Sequence, residues 1–355
     1  MLQRSWGKAP SGQTITIHTI SNAAGMTATL MNYGAIVLSL SVPGPSGTAT
    51  DVALGYSNIT NYYVNDPCFG SPIGRNANRI GGAAFTLDGT TYELEKNDGD
   101  NNLHSGSDRY NHRVWTVLSD EADSISFQLK SPDGDQGFPG NLTMTVTYTI
   151  APDNTLIIDY SGLSDRKTVW NPTYHGYFNL RGQGNGDILS HELTVFADSL
   201  TYADAASIPN GDIREVADTP MDFRKPRVIG ADIDADYDLL QFAGGYDHNW
   251  ILNRTDDLRE SGLDGNGLTI YKNAVLHDPW SDRSVTVYSD MPGIQVYTGN
   301  YITNSFGKGG FSYARRSGIA LETQYFPNAL NIPSFEAPII EGGKKAFHRT
   351  AYRFS

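Results

Sequence analysis

Residues 142–150 read LTMTVTYTI, so that Leu142, Met144, Val146, Tyr148 and Ile150 alternate with four threonines. In an extended chain successive side chains point to opposite faces, which gives this run one apolar face and one hydroxyl face. Wound into a helix, the same residues would scatter around the circumference. The pattern therefore predicts a strand over Leu142–Ile150. Shorter runs of β-branched and aromatic residues predict strands at residues 14–20, 27–42, 125–130, 155–160, 193–197, 285–288 and 294–298. Asp88 and Gly89 stand between FTL and YEL segments, and an Asp-Gly pair in that setting marks a tight hairpin whose turn needs positive φ. No segment carries strong helical periodicity, and no repeat of fixed period occurs. With 37 glycines and 17 prolines punctuating short strands, the predicted fold class is all-β, a large antiparallel sandwich of packed sheets.

Composition narrows the picture. A chain of 355 residues has room for two domains. Its glycine-rich stretches at 181–187 and 307–310 are short and lie between segments that read as ordered, so one domain over residues 1–355 is expected. A net charge of −13 and a pI near 4.9 repel phosphate backbones, and no basic block overrides them. Nucleic acid is not an expected partner. Cys68 is the single cysteine and cannot form an internal disulfide, which fits a reducing compartment. Residues 1–11 are polar and charged where a secretory leader is apolar, and no stretch has the length to span a bilayer. The expectation is a soluble, cytoplasmic protein without a membrane partner. Gly182, Gly184 and Gly186 follow no dinucleotide fingerprint, and Asp247-His248 lacks the spacing of a metal motif. Neither a cofactor nor a metal is expected.

Polar density concentrates in a few segments. NPTYHGYFNL, residues 171–180, sets His175 among aromatics and amides, and imidazole is the side chain whose ordinary pKa lies near neutrality. The others are GRNANRI (74–80), NDGDNNLHSG (97–106), YDHN (246–249), PGIQVYTGN (292–300) and LETQ (321–324). Glu322 follows the apolar run Ile319, Ala320, Leu321, and a buried carboxylate is costly unless it has a partner or a purpose. Taken singly, each has a bland alternative. His175 reads equally as a half-buried structural histidine, Arg79 as an ion-pair arginine, Asn78 and Gln295 as groups that satisfy loop backbone, and Asp247 as a turn initiator. Trp250, Phe178 and Tyr177 suit either stacking on a ligand or the core, and the core is the commoner use. His18, His112, His191, His277 and His348 lack convergent acids and read as structural or exposed.

Together these segments resemble the aldose 1-epimerase family, the galactose mutarotases. GRNANRIGGAAFTLDG (74–89), SPDGDQGFPGNLTMTVTYT (131–149), TPMDFRKP (219–226) and RSGIALETQYFPNALN (316–331) occur in the family's order over nearly the whole chain. The resemblance implies a β-supersandwich that interconverts the α and β anomers of free aldohexoses such as galactose or glucose, in an open cleft and without a cofactor. It implies Glu322 as general base at the anomeric hydroxyl, His175 as general acid at the ring oxygen and His104 as a supporting group. By the same resemblance Asn78, Arg79, Asp247 and Gln295 form the set that recognises the sugar. This chemistry asks for an ionised glutamate and a protonated histidine side by side.

The chain departs from the commonest family pattern at Tyr174, Gly176 and Tyr325, all adjacent to implied catalytic residues. These changes are expected to reshape the cleft near C1 and to alter the preference among galactose, glucose and reducing disaccharides such as maltose. Two other functions remain to be weighed: a glycosidase using Asp247 and Glu322 as its carboxylate pair, and a sugar-binding protein without catalysis. The oligomeric state, monomer or homodimer, is open.

Overall fold

The run over Leu142–Ile150 forms a strand with those bounds, its apolar positions buried and its threonines half-exposed. A computed structural model describes residues 4–44, 47–303 and 305–355, and of Ser305 the backbone alone. Residues 1–3, part of the polar N-terminal run, lie outside the described residues. Leu142–Ile150 belongs to a nine-stranded antiparallel sheet, flanked by Ser124–Ser131 and Thr155–Ser164. A six-stranded sheet runs in the order Tyr177–Phe178, Ile319–Gln324, Gly293–Tyr297, Asp247–Ile251, Ser199–Ala203 and Pro209–Glu215. A five-stranded sheet is built from Arg4–Lys8, Thr14–Ser21, Thr27–Met31, Ile36–Pro43 and Ala49–Asp51 in simple succession.

The largest hydrophobic cluster draws on all three sheets. Val146, Tyr148 and Ile158 enter it from the nine-stranded sheet, Trp250, Ile294 and Leu321 from the six-stranded one, and Leu30, Val37 and Leu40 from the five-stranded one. This is the all-β antiparallel architecture that the alternation predicted. The Asp88-Gly89 hairpin is also present. Both residues have positive φ, 50° and 79°, and Leu87 pairs with Thr90 across the turn.

The structure holds more strands than the sequence reading named, Tyr271–Asp278 and Pro209–Glu215 among them, and two differences have a clear physical reason. Residues 27–42 form two strands, because the chain reverses at Gly34 and Ala35, which have φ of 71° and 52°. A Cβ on Gly34 would lie 2.5 Å from the Asn111 carbonyl oxygen, so the turn is also pinned by a close backbone approach. The second difference is Lys345–Phe354, a ten-residue strand in the middle of the nine-stranded sheet. Its lysine, histidine and arginines disguise it. In the sheet Arg349 makes a two-pronged contact with Asp159 on the neighbouring strand, at 2.7 and 2.9 Å, and Arg353 pairs with Asp153. Charges that suggest a loop are thus satisfied by the neighbouring strand and by the turn that leads into it. Among the described residues no helix is long and apolar enough to cross a membrane.

Candidate active site

Three strands of the six-stranded sheet set the floor of a cleft. All six residues of Ile319–Gln324 are buried, Ile319 and Leu321 joining the main core, while Glu322 on the opposite face reaches the cleft. A slip of one residue would exchange Glu322 for Leu321, so the two-sided burial of this strand fixes where the carboxylate lies. In register across the sheet, Glu322 stands beside Gln295 and Gln295 beside Asn249. Asp247 begins the next strand, and Gln295 Nε2 donates to Asp247 Oδ1 at 2.6 Å.

His175 arrives from a different direction. It ends the short strand Thr173–His175, which pairs with Ser71–Ile73. Its Nε2 lies 3.5 Å from Glu322 Oε1, and its ring meets His104 edge-on at 5.3 Å between centroids. The His104 segment and the GRNANRI turn hold each other. The His104 backbone N–H donates to the Asn78 carbonyl at 3.1 Å, and the Asn78 backbone N–H donates to His104 Nδ1 at 3.2 Å. Since Nδ1 accepts, the proton of the neutral ring sits on Nε2, which makes His104 a donor there. Asn78, His104, Ser105 and Cys68 all adopt positive φ, between 52° and 69°. Such conformations are costly for residues with a Cβ and cluster at functional sites.

The GRNANRI turn is fastened from behind by Arg75. This guanidinium is fully buried and donates to the Pro139 carbonyl at 2.6 Å, to Ser131 Oγ at 2.6 Å and to Thr168 Oγ1 at 3.2 Å. Arg79, four residues on, faces the cleft and uses Nε to hold Asp98 at 2.7 Å. Of the two uses considered for Arg79, holding a carboxylate is therefore realised through Nε.

Burial dominates the electrostatics. Desolvation raises the Glu322 carboxyl well above its ordinary range, with the nearby Asp247 charge adding to the effect and Arg79 opposing it. Desolvation lowers His175 to about 3, and lowers His104 well below its ordinary value with help from His175, Arg109 and Arg79. Asp247 is raised for the same reason. Desolvation thus works against both charges expected from the chemistry, an ionised glutamate and a protonated histidine. A proton resting on Glu322 and a neutral His175 is the arrangement that burial favours.

The cleft encloses about 470 Å³, within the range of small-molecule sites. Asn78, Arg79, His104, His175, Asp247 and Glu322 all line it, whereas Gln295 lies beneath the lining and reaches it through Asp247. Asp247 opens a strand and does not initiate a turn. Tyr177 lines the cleft beside His175, while Trp250 and Phe178 belong to the core. Cys68, Asp98, Arg109 and Tyr297 also face the space and were not named as site residues, although Asp98 and Tyr297 fall within two of the polar segments. Arg109 Nη1 lies 3.3 Å from Cys68 Sγ, yet burial still raises the thiol. Tyr297 ends the strand Gly293–Tyr297 and the other three come from separate irregular segments, so no single local motif marks the four together.

The expectation for the three departures needs correction. Tyr174 points away from the cleft into the main core, Gly176 lies under the Tyr174 ring, and Tyr325 packs on His348 at 5.6 Å. None of the three lines the cleft. Alternation along the strand is the reason: with His175 facing the cleft, its neighbour must face the other way.

Comparison with known proteins bears on the chain as a whole. A family profile described as aldose 1-epimerase matches residues 16–353. The chain is 36% identical to the galactose mutarotase of Sus scrofa, over 99% of this chain and 97% of that one. It is 34% identical to the aldose 1-epimerase of Escherichia coli K12, over 100% and 99%. Among solved structures, an aldose epimerase homologue from C. elegans superposes with a TM-score of 0.86 at 28% identity, covering 96% of this chain and 98% of that one. A galactose 1-epimerase from Lactobacillus acidophilus gives 0.83 at 25% identity, over 100% and 98%. In sequence, fold and order of motifs alike, this chain belongs to the aldose 1-epimerase family.

Proposed function

We propose that the cleft interconverts the α and β anomers of free aldohexoses, with Glu322 and His175 exchanging protons with the sugar. The observation that carries this reading is the buried contact of 3.5 Å between His175 Nε2 and Glu322 Oε1, with the His104 ring beside it. Ring opening removes the proton of the anomeric hydroxyl, breaks the bond from C1 to the ring oxygen, forms the C1 carbonyl and places a proton on the ring oxygen. Glu322 takes the first proton and His175 gives the second.

The two charge states of the pair fit this cycle. The ion pair and the neutral pair contain the same number of protons and differ only in where one of them sits. Opening consumes the ion pair and leaves Glu322 protonated and His175 neutral, which is the arrangement that burial favours. The aldehyde then turns about its C1–C2 bond and recloses on its other face, with Glu322 returning a proton to the anomeric oxygen and His175 recovering its own. His104 Nε2–H supports the oxygen that gains charge. Asp247, held by Gln295, accepts from a sugar hydroxyl, while Asn78 and the remaining N–H groups of Arg79 complete recognition.

Composition supports a single-domain cytoplasmic enzyme with a sugar as its partner: the chain is acidic and its one thiol is buried. Polarimetry of freshly dissolved α-glucose or α-galactose tests the activity. Acceleration by the wild type that falls about 10²–10⁴-fold in both Glu322→Gln and His175→Asn is the expected result. Sugar binding without acceleration would favour the non-catalytic reading, and release of new reducing ends from a glycoside would favour the glycosidase.

A further inference from the structure

Asp247 stands where its strand runs out of a neighbour. The Thr298 N–H donates to the Tyr246 carbonyl and the Leu252 N–H donates to the Pro292 carbonyl, so even-numbered residues from Tyr246 to Leu252 turn their backbone groups toward Gly293–Tyr297. The odd-numbered ones turn toward the other neighbour, Ser199–Ala203. That strand pairs only with Ile251 and Trp250, and its register against Pro209–Glu215 shifts between Thr201 and Ala203. Thr201 Oγ1 still reaches the Asn249 carbonyl, at 3.5 Å. The ladder has ended before Asp247, whose backbone N–H donates instead to His248 Nδ1 at 3.0 Å.

His248 makes this contact from behind the floor of the cleft. Alternation puts its ring on the face opposite the Asp247 carboxylate, edge-on to Trp250 of the main core with centroids 6.3 Å apart. Burial lowers the imidazole to about 4, against the opposing effects of a hydrogen bond with the Leu239 backbone, on the helix Asp238–Ala243, and of the Asp238 charge. An accepting Nδ1 requires a neutral ring with its proton on Nε2. Asn78 is held in the same way, its backbone N–H donating to His104 Nδ1. We infer that His248 is a positioning residue, whose imidazole takes the place of a strand partner at Asp247 and so fixes the carboxylate that receives the sugar. A buried N–H without an acceptor is costly, and a backbone shift that relieved it would carry the carboxylate away from Gln295 and from the sugar. The inference rests on the anomer-interconverting reading of the cleft and adds a residue that acts on it without touching the substrate.

Polarimetry of His248→Leu and His248→Asn tests the inference. Leucine removes the acceptor, whereas asparagine loses the ring and its contact with Leu239 but can place Oδ1 near the position of Nδ1. Per folded molecule, His248→Leu should raise KM for glucose about tenfold and leave kcat within about twofold, since a recognition contact acts alike on the bound sugar and on the transition state. His248→Asn should recover most of that KM even though urea unfolding shows both variants destabilised. Equal KM values in the two variants, or a loss confined to kcat, overturn the inference. Two readouts are independent of turnover. Calorimetry of glucose binding to Glu322→Gln should show affinity falling about tenfold when His248→Leu is added and returning with His248→Asn. The positioning role is thereby tested even if mutarotation is absent and the catalytic reading fails, and unchanged affinity overturns it. Nitrogen NMR of the histidine-labelled wild type, with His248 identified by its loss in His248→Asn, should show the proton on Nε2 at neutral pH. A proton on Nδ1 overturns the inference, whether or not the leucine variant folds.

Discussion

The ring of Tyr174 occupies the space that a side chain at Gly176 would need. A Cβ on Gly176 would fall 2.1 Å from Tyr174 Cε1, 2.5 Å from Cζ and 2.7 Å from Oη. The ring has nowhere to withdraw, because it is buried against Tyr352 and Tyr148 with centroids 5.8 and 6.5 Å away. The large and the small residue are therefore one packing solution, and a serine at 176 requires a smaller residue at 174.

Gly176→Ser alone should cost about 1–3 kcal/mol by overpacking, and Tyr174→Asn alone about 3–5 kcal/mol through the cavity it leaves. Urea denaturation of the double variant should show a loss smaller than the sum by at least about 1 kcal/mol. Strict additivity would contradict the packing argument. Because Tyr174 faces the core, Tyr174→Asn should also leave the ratio of glucose to galactose turnover unchanged in the variant that remains folded.

The pH dependence of kcat/KM should follow the proton count of the His175 and Glu322 pair. Catalysis needs one proton shared between them. A second proton is added in acid at His175, which is lowered to about 3, and the only proton is lost in alkali from Glu322, whose carboxyl is raised. Activity should therefore persist down to about pH 4 and decline on the alkaline side at a pKa above the ordinary carboxylate range. Ordinary values of 4.5 and 6.5 would instead confine activity between them. A profile of that narrow shape would show that burial does not govern the pair.

Glu322→Gln should make the folded protein more stable while removing its activity. A carboxyl raised in the folded state is protonated there at pH values where the unfolded chain has already ionised, so stability falls as pH rises above the ordinary value of 4.5. Glutamine removes that loss. Thermal unfolding should give a higher midpoint for Glu322→Gln than for the wild type at pH 8, with the gap closing near pH 4. A lower midpoint at pH 8 would mean that the ionised carboxylate is better paired than its surroundings indicate.

Arg75→Met should cost on the order of 3 kcal/mol, because it strips donors from the buried acceptors at Pro139, Ser131 and Thr168. Denaturant unfolding reads this directly. The loss is structural, so the surviving folded fraction should retain the pH profile of the wild type. A surface arginine would show almost no change.

The legible parts of this chain are those in which one segment contains its own explanation. The alternation over Leu142–Ile150 needs only a neighbouring apolar layer to become a strand, and Asp88-Gly89 needs only its own backbone to turn. Lys345–Phe354 was hidden because its charges are neutralised by Asp159 on the neighbouring strand and by Asp153 in the turn that leads into that strand, which no local window displays. The side-chain directions of Tyr174 and His175 were likewise undecided until the Thr173–His175 strand had a partner and a core.

The sequence by itself determined the all-β alternation, the punctuating turns and the types of group available for proton transfer, since these follow from side-chain chemistry and a period of two along an extended chain. Tertiary structure decided which groups meet and in which direction their proton affinities move. Glu322 and His175 approach to 3.5 Å only because strands from two different sheets converge. Both charged forms are disfavoured because the same convergence removes water from both, and desolvation is a property of the assembled surroundings that neither segment carries alone.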